Sequence, residues 1–397
     1  MFSDSVQSLL STPWDPTTPA RPPFDPLAVD ALAAWSGELR TATAHPDVQA
    51  LAFWLRPAHL AQLQRDYARP DGAPALGRGT VFHVTPGNVA LTFAYSLATS
   101  LLAGNRNVVK LSSRDFPEVT LAAAALDRTL TRPEFGELAP GQALVRYDAA
   151  DPAATRYFSS LCDVRVLWGG DATINAIRAI PLPPRATEVT FADRFSLAAL
   201  DAAAVLAAPA ADLARAAAGF AADALQFDQA ACSSPHLVVW TGAPATVAAA
   251  RDRFWPPVYQ AAARYPQPPV RAVDKLAQQM ADALTHAGAR AEPGPDNSLV
   301  RTWFPEFPAD AESIRCPGGY FAETALPDLA ALAPHVTPKC QTLAYFGYPQ
   351  AELRAFVTTA RPQGIDRIVP LGRALAFGPL WDGYDLWSAL TRVIDLQ

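Results

Sequence analysis

The spacing of hydrophobic positions changes character along this chain. Over residues 27–40 and 47–66 apolar side chains recur near helical spacing, which predicts two helices. Ahead of them "STPWDPTTPARPPFDP" is broken up by proline, so about the first 26 residues should form an irregular wrapping segment. From Gly79 the pattern shortens. "GTVFHV" predicts a strand, "TPGN" a turn, "VALTFAYSLATSLLA" an apolar helix closed by Gly104, and "NVVKLSS" a second strand. That is a β-α-β unit, the building block of a parallel sheet. The alternation continues through "QALVRY", "PAATRYFSSL", "DVRVLWGG", "ATINAIRAI" and "TEVTFA", which predicts a doubly wound α/β domain.

A second α/β layer follows. Residues 200–226 predict one or two alanine-rich helices and "HLVVW" a strand, with further helices near 243–264 and 271–286. Strands are expected near "SLVRTWF" and "QTLAYFG", and the closing "GIDRIVPLGRALAFGPLWDGYDLW" reads as strand, turn and aromatic-rich tail. The economical architecture is two α/β lobes with a cleft between them.

Composition narrows the class. At 397 residues, half of them hydrophobic, the chain can bury a large core, and a net charge of −6 without a basic block predicts no nucleic-acid partner. The uncharged run "VFHVTPGNVALTFAYSLATSLLAG" has membrane-spanning length but holds His83, Pro86, Gly87 and Asn88 in its first third. A strand, turn and buried helix explain it better than a membrane span. No signal-peptide pattern opens the chain, and Cys162, Cys232, Cys316 and Cys340 form neither a CxxC pair nor a zinc pattern. The expectation is a reduced, cytoplasmic protein without a metal.

Chemistry concentrates at a few places. In "FDQAACSSPH" Cys232 lies between alanines and serines on a helix-to-strand loop. It is either an inert buried thiol or a nucleophile with room beside it for an acyl group. Cys162 reads as core, Cys316 as a turn residue and Cys340 as a strand neighbour. In "HVTPGN" Asn88 is either a helix cap or a donor to an oxyanion, and His83 is best read as a satisfied strand histidine. Basic residues are nearly all arginine. The lysines are Lys110, Lys275 and Lys339, and Lys110, at the carboxyl end of the second strand, is either a solvated lysine or a contact to a ribose or phosphate oxygen. "WGGDATI" places Gly169 and Gly170 ahead of a helix start, suited to an anion.

Taken together, "GTVFHVTPGNVALTFAYSLATSLLAGNRNVVKLSSRD", "VRVLWGGDATINAIRA", "FDQAACSSPH", "KCQTLAYFGY" and "GIDRIVPLGRALAFGPLWDGYDL" resemble, in family order, the LuxC-type acyl-CoA reductases of the aldehyde dehydrogenase superfamily. The resemblance implies an aldehyde-dehydrogenase-like α/β fold. Its parts would be an N-terminal helical and irregular wrapping segment over 1–75, a Rossmann-like nicotinamide domain over 76–190, a catalytic cysteine domain over 191–371 and a C-terminal tail over 372–397. It implies reduction of an acyl thioester, an acyl-CoA or an acyl-carrier substrate, to an aldehyde. NADPH is the expected reductant and NADH the alternative. Cys232 would form the acyl-enzyme, and Asn88 with the Cys232 N–H would hold the oxyanion. Thr85, Pro86, Gly87, Lys110, Ser112, Ser113, Gly169 and Gly170 would contact the cofactor. Hydrolytic relatives carry a glutamate in an ELGG-like segment to activate water; here "VTFADRFS" stands in its place, as suits an acyl-enzyme that is reduced. A cysteine acyltransferase or thioesterase is the competing reading, and homo-oligomerisation is left open.

Overall fold

The computed structural model describes residues 5–67, 72–148 and 150–397, which divide into two compact units. The first runs to Ala192 and takes in Pro379–Gln397; the second is Asp193–Gly378. Among the described residues no helix is long and apolar enough to cross a membrane.

The strands of the first unit up to Ala192 are β1 (Gln7–Ser8), β2 (Ala75–Gly77), β3 (Thr80–Val84), β4 (Arg106–Lys110), β5 (Gln142–Arg146), β6 (Val164–Trp168) and β7 (Thr187–Phe191). Its helices are α1 (Pro26–Ala42), α2 (Pro46–Trp54), α3 (Pro57–Tyr67), α4 (Thr92–Leu102), α5 (Pro117–Leu130), α6 (Pro152–Leu161) and α7 (Asp171–Arg178). The sheet order is β1-β5-β4-β3-β6-β7, parallel except for β1. Strand order reverses at β3, the switch point at which doubly wound sheets bind ligands outside their carboxyl ends. Both β3 and β6 are buried along their whole length, which is why they read as continuous apolar runs and not as alternation.

Polar residues inside these strands are paired. His83 is fully buried, with Nδ1 2.8 Å from Ser96 Oγ and Nε2 3.0 Å from Asn107 Oδ1. Asn107 Nδ2 then donates to Gln142 Oε1 at 2.9 Å. Burial pushes the His83 pKa down to about 4, so it stays neutral and serves the sheet.

The helix predicted over 47–66 is two helices. The chain breaks at Leu55 and Arg56 because Pro57 disfavours helical backbone in the residue before it and opens α3 at its own first position. Gly104 closes α4 as expected; its φ is 88°, and a Cβ there would lie 2.0 Å from Arg21 O.

The second unit contains β8 (Phe195–Asp201), β9 (Pro235–Thr241), β10 (Arg290–Glu292), β11 (Val300–Trp303), β12 (Tyr320–Leu326), β13 (Cys340–Phe346) and β14 (Arg367–Pro370). Its helices are α8 (Ala202–Ala207), α9 (Ala210–Leu225), α10 (Pro244–Ala262), α11 (Val270–Thr285) and α12 (Gln350–Ala355). The order is β10-β11-β12-β9-β8-β13-β14, parallel except for β10. Alternate residues of β9 feed two cores. Val238 and Trp240 pack with Phe220, Phe254 and Trp255, while Leu237 and Val239 pack with Phe195, Tyr320 and Leu343.

β8 and β12 both escape the sequence pattern, β12 because Glu323 stands in the middle of "YFAETAL". The carboxylate is fully buried. It accepts from Trp240 Nε1 and Trp255 Nε1 at 2.9 Å, from Arg251 through two bonds of 3.0 Å, and from Arg301 at 3.2 Å. α11 inverts the usual burial: Lys275 and Asp282 are its buried side chains, while Val273, Leu276, Met280 and Leu284 are exposed.

The tail comprises β15 (Leu380–Trp381), β16 (Tyr384–Asp385), α13 (Leu386–Leu390) and β17 (Thr391–Val393) and belongs to the first unit. β17 pairs antiparallel with β2, and Trp387 joins Phe24 and Tyr67 in an aromatic cluster with ring centroids 5.1–5.3 Å apart.

Removing Glu323 would leave the buried Arg301 guanidinium without its anion and Arg251 with Glu292 alone, and Glu323→Ala should lower stability by about 3–5 kcal/mol. Urea denaturation followed by tryptophan fluorescence measures this, since Trp240 and Trp255 report directly on the cluster.

Candidate active site

Nine of the residues singled out in the sequence gather at the carboxyl edge of the first unit's sheet. Val84 pairs with Lys110 on one side and with Leu167 on the other, so the segments after β3, β4 and β6 leave the sheet together. Thr85 donates from its N–H (3.2 Å) and its hydroxyl (2.8 Å) to Lys110 O, which welds the first two segments. The next turn brings Gly87 against Ser112: a Cβ on Gly87 would lie 3.0 Å from Ser112 Oγ. Pro86 and Ser112 are half-buried, and Gly87, Asn88 and Ser113 exposed. Asn88 precedes Thr92 by four residues, and the cap position of α4 belongs to Leu91, so capping does not explain the asparagine.

Lys110 is buried, which removes the reading of a solvated lysine. Burial lowers its pKa, Asp148 opposes that, and Nζ lies 5.2 Å from the centroid of Tyr147. An ammonium buried at the edge where doubly wound sheets bind ligands could meet an oxygen-rich partner there.

Gly169 donates to Phe191 O at 3.1 Å, and Gly170 is the residue before α7. Gly170 has an ordinary φ of −70°, and a Cβ added there would meet nothing within 4 Å. The backbone does not demand glycine at 170, so what the glycine leaves is open room at a helix start. These residues fit a nicotinamide dinucleotide: an open glycine turn, an ammonium, and hydroxyls on one edge. Asp171 shares the first turn of α7, which makes that end a weaker phosphate site than a neutral one.

Cys232 stands in the second unit, on the loop between α9 and β9. Asp228 and Gln229 take φ values of 52° and 60°, a left-handed pair without glycine. The cost is met by buried bonds. Gln229 Nε2 donates to Pro235 O and to Tyr320 O at 3.0 Å each, and its Oε1 accepts from Gly319 N at 2.8 Å. Arg271 Nε donates to Asp228 at 2.9 Å. Ser196 Oγ donates to Cys232 O at 2.7 Å, and Ser234 Oγ to Asp223 O at 2.7 Å. Lys275 braces the neighbouring turn, with Nζ 2.7 Å from the carbonyls of Asn297, Ser298 and Gly318. Burial pulls its pKa down to about 8, so at neutral pH the ammonium persists.

The small residues around the cysteine now have a reason. Ala231, Ser233 and Ser234 are buried, whereas Cys232 is half-buried. The other three thiols are buried, and burial pushes Cys162 up to about 12, Cys316 up to about 11, and Cys340 upward. Only the thiolate is nucleophilic, so burial disfavours the other three and leaves Cys232 as the candidate.

Both carboxylates of residues 188–196 are ion-paired. Glu188 is held by Arg165 and Arg178, and Asp193 by Arg315 and Lys339. In the first unit His45, Asp47 and Glu118 bring ligand atoms within 4.8 Å of one another. Each carboxylate lies in the first turn of a helix, where the dipole favours an anion. Gln229 and Asp223 hold the cysteine loop and were missed by the sequence reading. Gln229 adjoins the cysteine box, but nothing local marks its amide as the loop's anchor.

Both units, with their parallel sheets, have the fold of the aldehyde dehydrogenases. Thermus thermophilus 1-pyrroline-5-carboxylate dehydrogenase, solved as a variant, superposes with a TM-score of 0.65 at 13% identity, over 97% of this chain and 83% of that one. An indole-3-acetaldehyde dehydrogenase solved with NAD+ gives 0.63 at 14% identity, over 93% and 83%. Within that class the assignment is narrower: residues 63–394 match the acyl-CoA reductase (LuxC) family, and this chain belongs to it. A long-chain acyl-protein thioester reductase of Photorhabdus laumondii is 29% identical over 174 residues, covering 42% of this chain and 33% of the relative. Long-chain acyl-protein thioester reductase 2 of Photobacterium leiognathi is 28% identical over 171 residues, again 42% and 33%. The matched stretch thus spans a third of these relatives' length.

Iodoacetamide at pH 8 should label one thiol per native chain, with Cys162, Cys316 and Cys340 at least about 10²-fold slower. Intact-mass spectrometry of the native chain and of Cys232→Ser counts the labels, and a second fast-reacting thiol would contradict the burial pattern.

Proposed function

We propose that this chain reduces a long-chain acyl thioester to an aldehyde through an acyl-enzyme at Cys232, with NADPH as reductant. Cys232 carries the reading: it is the half-buried thiol among three buried ones, on a loop fixed by buried bonds, in a member of the acyl-CoA reductase family. The names of the relatives favour an acyl group delivered on a protein, with CoA as the simpler carrier of the same thioester.

Attack of the Cys232 thiolate on the thioester carbonyl forms a new C–S bond and a tetrahedral oxyanion. The Cys232 N–H and the Asn88 amide are the donors that the family resemblance assigns to that oxygen. Collapse breaks the bond to the carrier sulfur, which takes a proton and leaves as a thiol. Thr85, Pro86, Gly87, Lys110, Ser112, Ser113, Gly169 and Gly170 would hold the dinucleotide. What a reduced nicotinamide supplies when bound is a hydride for the acyl carbon. Cys232 then departs from the hemithioacetal carbon as thiolate, which releases the aldehyde and restores the nucleophile. The ion pairs that Glu188 and Asp193 make are consistent with an acyl-enzyme that is reduced and not hydrolysed. For the 2′-phosphate of NADPH, the turn after β4 offers Ser112, Ser113 and the exposed Arg114. The buried Lys110 speaks against an acyltransferase or thioesterase, which has no use for a dinucleotide edge.

The purified chain, given a long-chain acyl-CoA or acyl carrier protein with NADPH, should oxidise the nicotinamide and produce aldehyde in equal amounts. Cys232→Ala should abolish both, and Asn88→Ala should slow turnover about 10²-fold with NADPH binding retained. Thiol release without nicotinamide oxidation would establish the transferase or thioesterase instead.

A further inference from the structure

Helix α11 is seated with its polar side chains turned inward, where they are bonded. Arg271 Nε donates to Asp228 at 2.9 Å, Lys275 Nζ to the carbonyls of Asn297, Ser298 and Gly318 at 2.7 Å, and Gln279 Nε2 to Arg301 O at 3.1 Å. Asp282 accepts from the Tyr320 hydroxyl, and from Gln278 at 2.8 Å. Breaking these buried bonds is costly, so they fix the rotation of the helix and keep its outer face outward. That face carries Val270, Val273, Leu276, Met280 and Leu284, which are 51–87% exposed. Single apolar residues at a surface are ordinary, but five along one face of one helix mark a contact.

The face has the spacing of a helix–helix seam. Val273, Ala277, Met280 and Leu284 follow one another at intervals of four, three and four residues, and Val270 extends the row backward by three. A second α11 laid antiparallel, with a twofold axis between residues 278 and 279, fits this row. Met280 then meets the second copy's Ala277, and Ala277 meets the second copy's Met280. At each end Val273 of one copy meets Leu284 of the other. Large faces small beside the axis, and a pair of apolar side chains closes either end, as a self-complementary patch requires. A parallel copy would set Met280 against Met280 and Ala277 against Ala277, which crowds one layer and leaves a void in the next.

We propose that α11 is an interface between two copies of this chain, antiparallel across a twofold axis and closed by Val273, Ala277, Met280 and Leu284. This contact is independent of the chemistry at Cys232. At about 100 Å² for each large side chain, the face offers about 500 Å² per copy and about 1,000 Å² in the pair. That reaches the lower bound of a specific interface, so the dimer is a concentration-dependent one. The seam itself is uncharged. Arg271 and Asp274 pair with each other, and Lys275 and Asp282 are buried, so nothing along the row selects a partner by charge. What the row does offer is its own complement, which a second copy supplies. A lipid surface suits it less well, because helices that lie on membranes flank their apolar face with free lysine and arginine. Here Arg271 and Lys275 are bonded within the chain.

Sedimentation equilibrium of the full chain over about 1–100 μM, the range suited to an interface of this size, should show a monomer–dimer equilibrium. Met280→Glu brings two carboxylates to the axis and should weaken the dimer about tenfold or more. Met280 is exposed, so the variant should keep its native circular dichroism. Register is tested by cross-linking. Val273→Cys and Leu284→Cys, combined in a Cys232→Ser chain, lie about 16 Å apart along their own helix, too far to bridge within one copy. Oxidation with copper phenanthroline should therefore give a covalent dimer, and Val273→Cys without its partner should give none. Should Met280→Glu not fold, the cross-link decides. A chain that stays monomeric throughout overturns the proposal. So does a dimer indifferent to Met280→Glu, or a cross-link formed equally well by Val273→Cys alone. A monomer that instead co-sediments with phosphatidylcholine vesicles also overturns it and assigns the face to lipid.

Discussion

Between α9 and β9 the chain reverses direction with its backbone largely out of reach of water, and the Gln229 amide makes that reversal tolerable. Its nitrogen serves the carbonyls of Pro235 and Tyr320, and its oxygen serves the N–H of Gly319, all at hydrogen-bonding distance. A buried backbone group without a partner costs as much as a lost hydrogen bond, so a loop of this kind exists only where something supplies the partners. One side chain therefore fixes three backbone segments against each other: the approach to Cys232, the start of β9 and the start of β12. The main chain of Cys232 is fixed in turn through its carbonyl, which accepts from Ser196 Oγ.

The reach of this constraint extends into the core. β12 offers Tyr320 O to Gln229 only because β12 occupies the middle of the sheet, and it can do so only because the buried Glu323 is met by two tryptophan N–H groups and two guanidinium groups. Lys275 performs a comparable task for the turn ahead of β12 through three carbonyls. The second unit thus uses buried charge as a set of positional locks. Such groups add little net stability over apolar packing but penalise any arrangement in which they are unpaired.

In the first unit the organising feature is simpler. A parallel sheet whose order reverses at β3 sends the segments after β3, β4 and β6 out at one edge, and the hydroxyl and N–H of Thr85 tie two of them together. The polar relay from His83 through Asn107 to Gln142 is internal to the sheet and consumes groups that would otherwise look chemically available.

Legibility in the sequence follows from the range of the interactions involved. The strands around "VFHV", "NVVK" and "VRVLW", the glycine stop of α4 and the helix-to-strand loop at Cys232 were visible because they depend on near neighbours: apolar runs, turn residues, capping positions. The helix break at Pro57 was equally local and was overlooked because the apolar spacing continues across it. β12 was hidden because a glutamate amid a strand pattern reads as exposed until its four distant partners are known. The buried face of α11 was beyond reach for the same reason, since Lys275 is satisfied by carbonyls from residues 297, 298 and 318. By itself the sequence determined the alternation of strands and helices, the family likeness and the candidate cysteine. Only the tertiary structure decided which three of the four thiols are buried and which carboxylates are paired with arginines, because burial and pairing are properties of residues brought together from far apart in the chain.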